Sequence, residues 1–233
     1  MLSTFLQTAV DGIEAVPVQE ELSFSLISMA AKGGWLMLVL LALSIVAIYL
    51  FGKKWWAIRQ AGQVDKNFIK DVDNYLAEGK VRSARALCKR SDTPVARMIE
   101  KGVERIDKPL SDIRIAVENV ANVEVAKLEK GLPALATIAG GAPMIGFLGT
   151  VMGMVQAFFN MAQAGNNIDI TLLSGGIYTA MITTVGGLVV GILAYFGYNF
   201  LTAQVTGLVA KMEAASIEFL DAAQARKETQ SLA

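Results

Sequence analysis

Between Lys130 and Lys211 the chain carries one charged residue, Asp169, and that residue falls in the polar hinge Gln163-Ala-Gly-Asn-Asn-Ile-Asp169 that divides the run in two. A bilayer core about 30 Å thick is crossed by roughly 20 helical residues, each rising about 1.5 Å. Each half of the run is nearly twice that length. Two long helices therefore cross a membrane and overshoot it. A shorter charge-free run, Trp35 to Phe51, closes on Lys53-Lys54-Trp55-Trp56 and reads as a single span with interfacial anchors. In lipid every backbone N–H and C=O must be satisfied within the protein, and the period-two segments of a barrel are missing, so the spans are helices.

Charge distribution gives the orientation. The net charge is zero, yet of 21 Lys and Arg, 17 lie between Lys53 and Lys130, Lys32 precedes the first span and three follow the last. An excess of basic residues marks the cytoplasmic side. The expected plan has residues 1–32 outside, with Leu22, Leu26, Met29 and Ala30 at the spacing of a short amphipathic helix. Span one covers 33–52, a cytoplasmic region 53–130, span two 131–162, an outer turn 163–171, span three 172–200, and a C-terminal cytoplasmic helix 201–233. The acidic first thirty residues have no basic start and do not read as a cleavable signal.

Within 53–130, apolar residues recur at helical period: Phe68, Ile69, Val72 and Leu76, then Val81, Ala84 and Cys88, then Val95, Met98, Ile99 and Val103. Breaks are expected at Glu78-Gly79-Lys80, at Ser91-Asp92-Thr93-Pro94 and at Asp107-Lys108-Pro109. From Ile113 through Val125 and Leu128 to Leu132 the pattern predicts one continuous helix entering span two, with a matching extension of span three through Leu208, Met212 and Phe219. The fold class is all-α: three transmembrane helices, the second and third extended into a cytoplasmic bundle. Lone Cys88 reads as a small buried apolar residue.

The chain has no His, one Cys and no acidic pair within a span. Ordinary metal clusters and a nucleophile with an adjacent base are therefore not on offer, and the chain does not read as an enzyme. Neither a cofactor nor nucleic acid is expected. The spans carry small hydroxyls and glycines instead. Gly149-x-x-x-Gly153 and Gly187-x-x-x-Gly191 are small-residue seams that let helix backbones approach, and each Thr hydroxyl can bond the carbonyl of its own preceding turn. Alternatively a hydroxyl face lines a polar path. Thr150 shares a face with Gly146 and Gly153, and Thr184 with Ala180, Gly187 and Gly191. Three helices cannot enclose such a path, so it would need several copies around an axis. A carboxylate at the bilayer centre costs about 2.5–3.5 kcal/mol and is kept for function. Spans two and three have none, so a proton carrier would come from another chain.

Leu128-Glu-Lys-Gly-Leu-Pro-Ala-Leu-Ala-Thr-Ile-Ala-Gly-Gly-Ala-Pro-Met-Ile-Gly-Phe-Leu-Gly-Thr-Val-Met-Gly-Met154, with Gly176-Ile-Tyr-Thr-Ala-Met-Ile-Thr-Thr-Val-Gly-Gly-Leu-Val189 and Tyr198-Asn199, resembles the signature of the MotA/TolQ/ExbB proton-channel family. The likeness covers about residues 95 to 220, and three spans match the ExbB and TolQ branches, ExbB first, rather than four-span MotA. The resemblance implies a homopentamer in the bacterial inner membrane, surrounded by membrane lipids. Its second and third helices would enclose the single-span helices of an ExbD-like dimer, whose aspartate carries the proton, and the complex would drive TonB. It places the pore threonines at Thr150 and Thr184, with Thr183 and Thr179 beside them, the motif proline at Pro143 and the inner-end asparagine at Asn199. Packing against partner helices falls to Gly146, Gly149, Gly153, Ala180, Gly187 and Gly191. Many relatives have a glutamate five residues before the second pore threonine, where this chain has Thr179. A TolQ-type role in envelope integrity, sodium as the ion, and a passive scaffold remain alternatives.

Overall fold

The computed structural model describes residues 34–63, 67–164 and 170–232. The expected outer amphipathic helix and the Asn166-Asn167-Asp169 turn lie outside the described residues. Among these residues seven helices follow in order: α1 (Gly34–Ala61), α2 (Phe68–Ala77), α3 (Val81–Ser91), α4 (Pro94–Val103), α5 (Leu110–Glu129), α6 (Leu132–Ala164) and α7 (Ile170–Leu232). No strand occurs among the described residues, and three helical segments are long and apolar enough to cross a membrane.

The short helices start and stop for local reasons. At α4, Thr93 is extended and its Oγ1 accepts from the Ala96 N–H at 3.3 Å, while Pro94 occupies the first turn, where no amide is needed. Gly79 takes φ +74° between α2 and α3. The apolar faces of α2 to α5 then close over the C-terminal part of α7, burying Val72, Leu76, Met98, Ile99, Ile113, Met212 and Phe219. Phe219 presses its ring onto Gly102, where any Cβ would collide with it. Cys88 belongs to this core. Its burial, with the charge of Glu100 nearby, pushes the thiol up to about 12, so it stays protonated and inert. At the rim, Glu104 accepts a hydrogen bond from Lys101 at 2.8 Å, and that bond, with the charges of Lys101 and Arg85, holds its carboxyl below the usual range despite partial burial.

The expectation of one uninterrupted helix from Ile113 into span two is corrected. The helix stops at Lys130 and Gly131, where Gly131 adopts φ +95°, and α6 begins afresh at Leu132. The cause is legible in Gly131-Leu-Pro133: glycine takes the left-handed stop, and proline in the following first turn needs no amide partner. The carbonyls left without helical partners by this break are met from elsewhere. Lys54 Nζ, from the C-terminal half of α1, donates to Lys127 O at 3.1 Å and to Leu128 O at 3.3 Å. A cation at a helix C-terminus also suits the dipole. Above this junction a second apolar cluster, including Ala47, Leu132, Leu135, Ala194 and Leu201, holds α1 against α6 and α7.

Candidate functional site

Helices α6 and α7 run antiparallel and meet along a seam of small residues, with Ala157 on Gly176, Gly153 on Ala180, Gly146 on Gly187 and Pro143 on Gly191. The approach is backbone to backbone. A Cβ on Gly187 would lie 2.6 Å from Ala142 O and 2.8 Å from Gly146 Cα, and one on Gly146 would lie 2.8 Å from Thr183 O. Main-chain atoms cannot step aside as a flexible side chain can, so only hydrogen fits here. Pro143 sits inside α6 and lacks the amide that would bond Ala139 O; that carbonyl faces Gly191, where a Cβ would stand 3.0 Å away.

This closeness brings two hydroxyls within reach of the opposite helix. Thr150 Oγ1 donates to Ala180 O at 3.1 Å, Thr184 Oγ1 donates to Gly146 O at 3.1 Å, and the two hydroxyls bond each other. Other threonines behave differently. Thr137 bonds Pro133 O at 2.9 Å and Thr206 bonds Thr202 O at 3.0 Å, each within its own helix. The paired site has a chemical consequence, because two hydroxyls have two protons for three contacts. Only two of the three can be donated at once, and Ala180 O, which also accepts from Thr183 at 2.7 Å, keeps a donor either way. A protonated carboxyl arriving from another chain could donate to a hydroxyl oxygen, and an ionised one could accept from either hydroxyl. The pair can hold both states of a proton carrier.

Thr183 is placed otherwise. Only 2% exposed, it donates to Ala180 O at 2.7 Å beneath Gly149, on the side where Leu36 of α1 approaches. Gly186, two residues after Thr184 and so on the opposing side of α7, meets Met37 of α1. Helix α1 thus covers one flank of the hairpin, and half-buried Thr150 and Thr184 open toward the other. Thr179 is half-buried about one turn nearer the N-terminal end of α7, and Asn199 is exposed, its Nδ2 donating to Tyr195 O at 2.9 Å within α7.

A second polar constellation escaped the sequence reading. Glu124, 3% exposed, accepts from Arg97 at 2.6 Å and from Lys127 at 2.7 Å, and Arg97 reaches Asp92 at 2.6 Å. Its directly bonded partners lie up to 27 residues apart, so no local spacing reveals it. With Lys54 on the Lys127 carbonyl, it ties the C-terminal end of α1 to the bundle of α2 to α5.

The sequence profile of the MotA/TolQ/ExbB proton channel family matches residues 90–214. An ExbB-homologue sequence of Methanothermobacter thermautotrophicus is 27% identical over 190 residues, covering 81% of this chain and 67% of its own. An ExbB-like sequence of Synechocystis sp. is 30% identical over 175 residues, covering 74% and 68%. The biopolymer transport protein ExbB of Neisseria gonorrhoeae is 37% identical over a shorter 94 residues, 40% of this chain and 42% of its own.

Proposed function

We propose, from the premise that this chain belongs to the MotA/TolQ/ExbB proton channel family, that it is the housing subunit of a proton-driven motor in a bacterial inner membrane. Five copies surround the single-span helices of an ExbD-like dimer. The N-terminus is periplasmic and the C-terminus cytoplasmic. The observation that carries this reading is the Thr150–Thr184 hydroxyl pair set on a carboxylate-free seam. The partner's aspartate supplies the titrating group, passes the hydroxyl pair, and gives up its proton toward the cytoplasm. A potential of 100 mV contributes about 2.3 kcal/mol per proton, enough to bias a helix shift or rotation of the partner. The motion is delivered to TonB, which energises nutrient import across the outer membrane.

Thr179 stands where many relatives have glutamate, so the carrier carboxylate in this chain's complex is the partner's alone. The same oxygen set, two hydroxyls and the carbonyls of Gly146 and Ala180, would also suit sodium, which makes the ion itself a quantity to measure. Co-expression with an ExbD-like protein and weighing of the purified complex tests the assembly. A pentamer around a partner dimer is expected, and a monomer refutes the housing role. In cells, Thr150→Val is expected to abolish TonB-dependent uptake without loss of the complex. Full uptake in that variant removes the hydroxyl pair from the pathway.

A further inference from the structure

The flank of α7 that carries α1 holds a groove with two chemically distinct reaches. Between Ser44, Ile48 and Phe51 of α1 and Leu193, Gly197 and Phe200 of α7 lies an open apolar hollow of about 410 Å³. Further along the same pair of helices, toward the cytoplasm, a second hollow of about 410 Å³ is lined by Arg59, Gln63, Gln204, Gly207 and Lys211. Gly207 contributes to its openness, since a Cβ there would meet nothing within 4 Å. From Phe51 to Arg59 is two turns of helix, about 12 Å.

The levels of these reaches are set by the residues around them. Trp55 and Trp56 are exposed and follow Lys53 and Lys54, the pattern of the headgroup region. The apolar hollow therefore opens at acyl-chain depth and the basic one at the cytoplasmic surface. Arg59 lies over the Trp55 ring with 6.0 Å to its centroid, a contact that steadies the guanidinium without neutralising it. Among the described residues the ion pairs engage Lys80, Arg85, Lys89, Arg97, Lys101 and Lys127, and neither Arg59 nor Lys211 takes part. Two unpaired cations with two amide side chains face one hollow whose neighbour along the same groove is apolar.

We infer that this groove is a binding site for one anionic phospholipid of the cytoplasmic leaflet. An acyl chain lies against Ile48, Leu193 and Phe200, and the phosphate lies between Arg59 and Lys211. The charge complementarity favours an anionic lipid over a zwitterionic one. Its place between α1 and α7, on the flank away from Thr150 and Thr184, makes it independent of the ion-path reading.

The purified complex, extracted from vesicles of equal phosphatidylglycerol and phosphatidylcholine, is examined by native mass spectrometry. One retained phosphatidylglycerol per chain is expected, with little phosphatidylcholine. Each juxtamembrane cation is worth enough that Arg59→Gln with Lys211→Gln lowers retention about 30-fold. The swap Arg59→Lys with Lys211→Arg keeps it, which guards against a fold defect in the neutral variant. Leu193→Trp, filling the apolar reach, lowers retention with both cations in place. Equal retention of the two lipids, or unchanged retention in the neutral double variant, overturns the site. So does a cysteine cross-link between Ile48→Cys and Leu193→Cys of different chains, which would put a second copy in the groove.

Discussion

One helix, α7, is held in two opposite ways along its length. At Gly187 its backbone touches the backbone of α6, with no side chain between them; at Phe219 a large ring fills the space above Gly102. The difference follows the solvent. In the aqueous bundle, burying Phe219, Met98 and Ile99 removes apolar area from water and stabilises by about 25 cal/mol per Å². In the bilayer that gain is gone, since lipid is as apolar as a leucine side chain, and close van der Waals contact with interhelical hydrogen bonds carries the association. Glycine is therefore the core residue of the spans as Phe219 is of the bundle. The seam has a second use, because only at that separation can Thr150 and Thr184 meet.

The largest effect is expected at the seam. Gly187→Leu sets a side chain against Ala142 O and Gly146 Cα and should split the hairpin, so that no complex is recovered after detergent extraction and size exclusion. Recovery of a normal complex would show that the backbones can part at little cost. The matching change below, Phe219→Ala, opens a cavity in the bundle and is expected to lower its stability by about 3–5 kcal/mol, read by thermal or denaturant unfolding, with the spans still assembled. At the junction between the regions, Lys54→Met strips the Lys127 and Leu128 carbonyls of a charged donor. A loss of about 1–2 kcal/mol is expected, and Lys54→Arg should recover part of it. The smallest effect lies at the rim. Glu104→Gln should cost under about 1 kcal/mol. Because the folded-state carboxyl of Glu104 is depressed, its contribution is present above the ordinary carboxylate range and disappears as pH falls through the lowered value. Unfolding curves of wild type and variant should therefore converge in acid and separate near neutrality.

Much of this division was visible in the residues. Charge silence marks the spans, and Gly79, Pro94 and Pro109 mark the ends of the short helices. Apolar periodicity runs on across Gly131 and hides the stop there, although the Gly-Leu-Pro order signals it. Composition could not separate the glycines. Gly140, Gly141 and Gly175 meet nothing within 4 Å, whereas Gly146 and Gly187 touch. Helical spacing put Thr150 and Thr184 on small-residue faces, but which carbonyls they reach depends on the register between helices, and so does the enclosure of Thr183. Lys54 and its acceptors are 73 and 74 residues apart, beyond any local pattern.

In the proposed motor the hydroxyl pair on the seam serves the ion and is not packing alone. The most direct test is proton flux into liposomes holding the complex with its ExbD-like partner, under an imposed potential and with sodium absent. Thr150→Ser with Thr184→Ser keeps both hydroxyls and should conduct, while the near-isosteric Thr150→Val with Thr184→Val should assemble equally and conduct at background. Wild-type flux through the double valine complex would contradict the account.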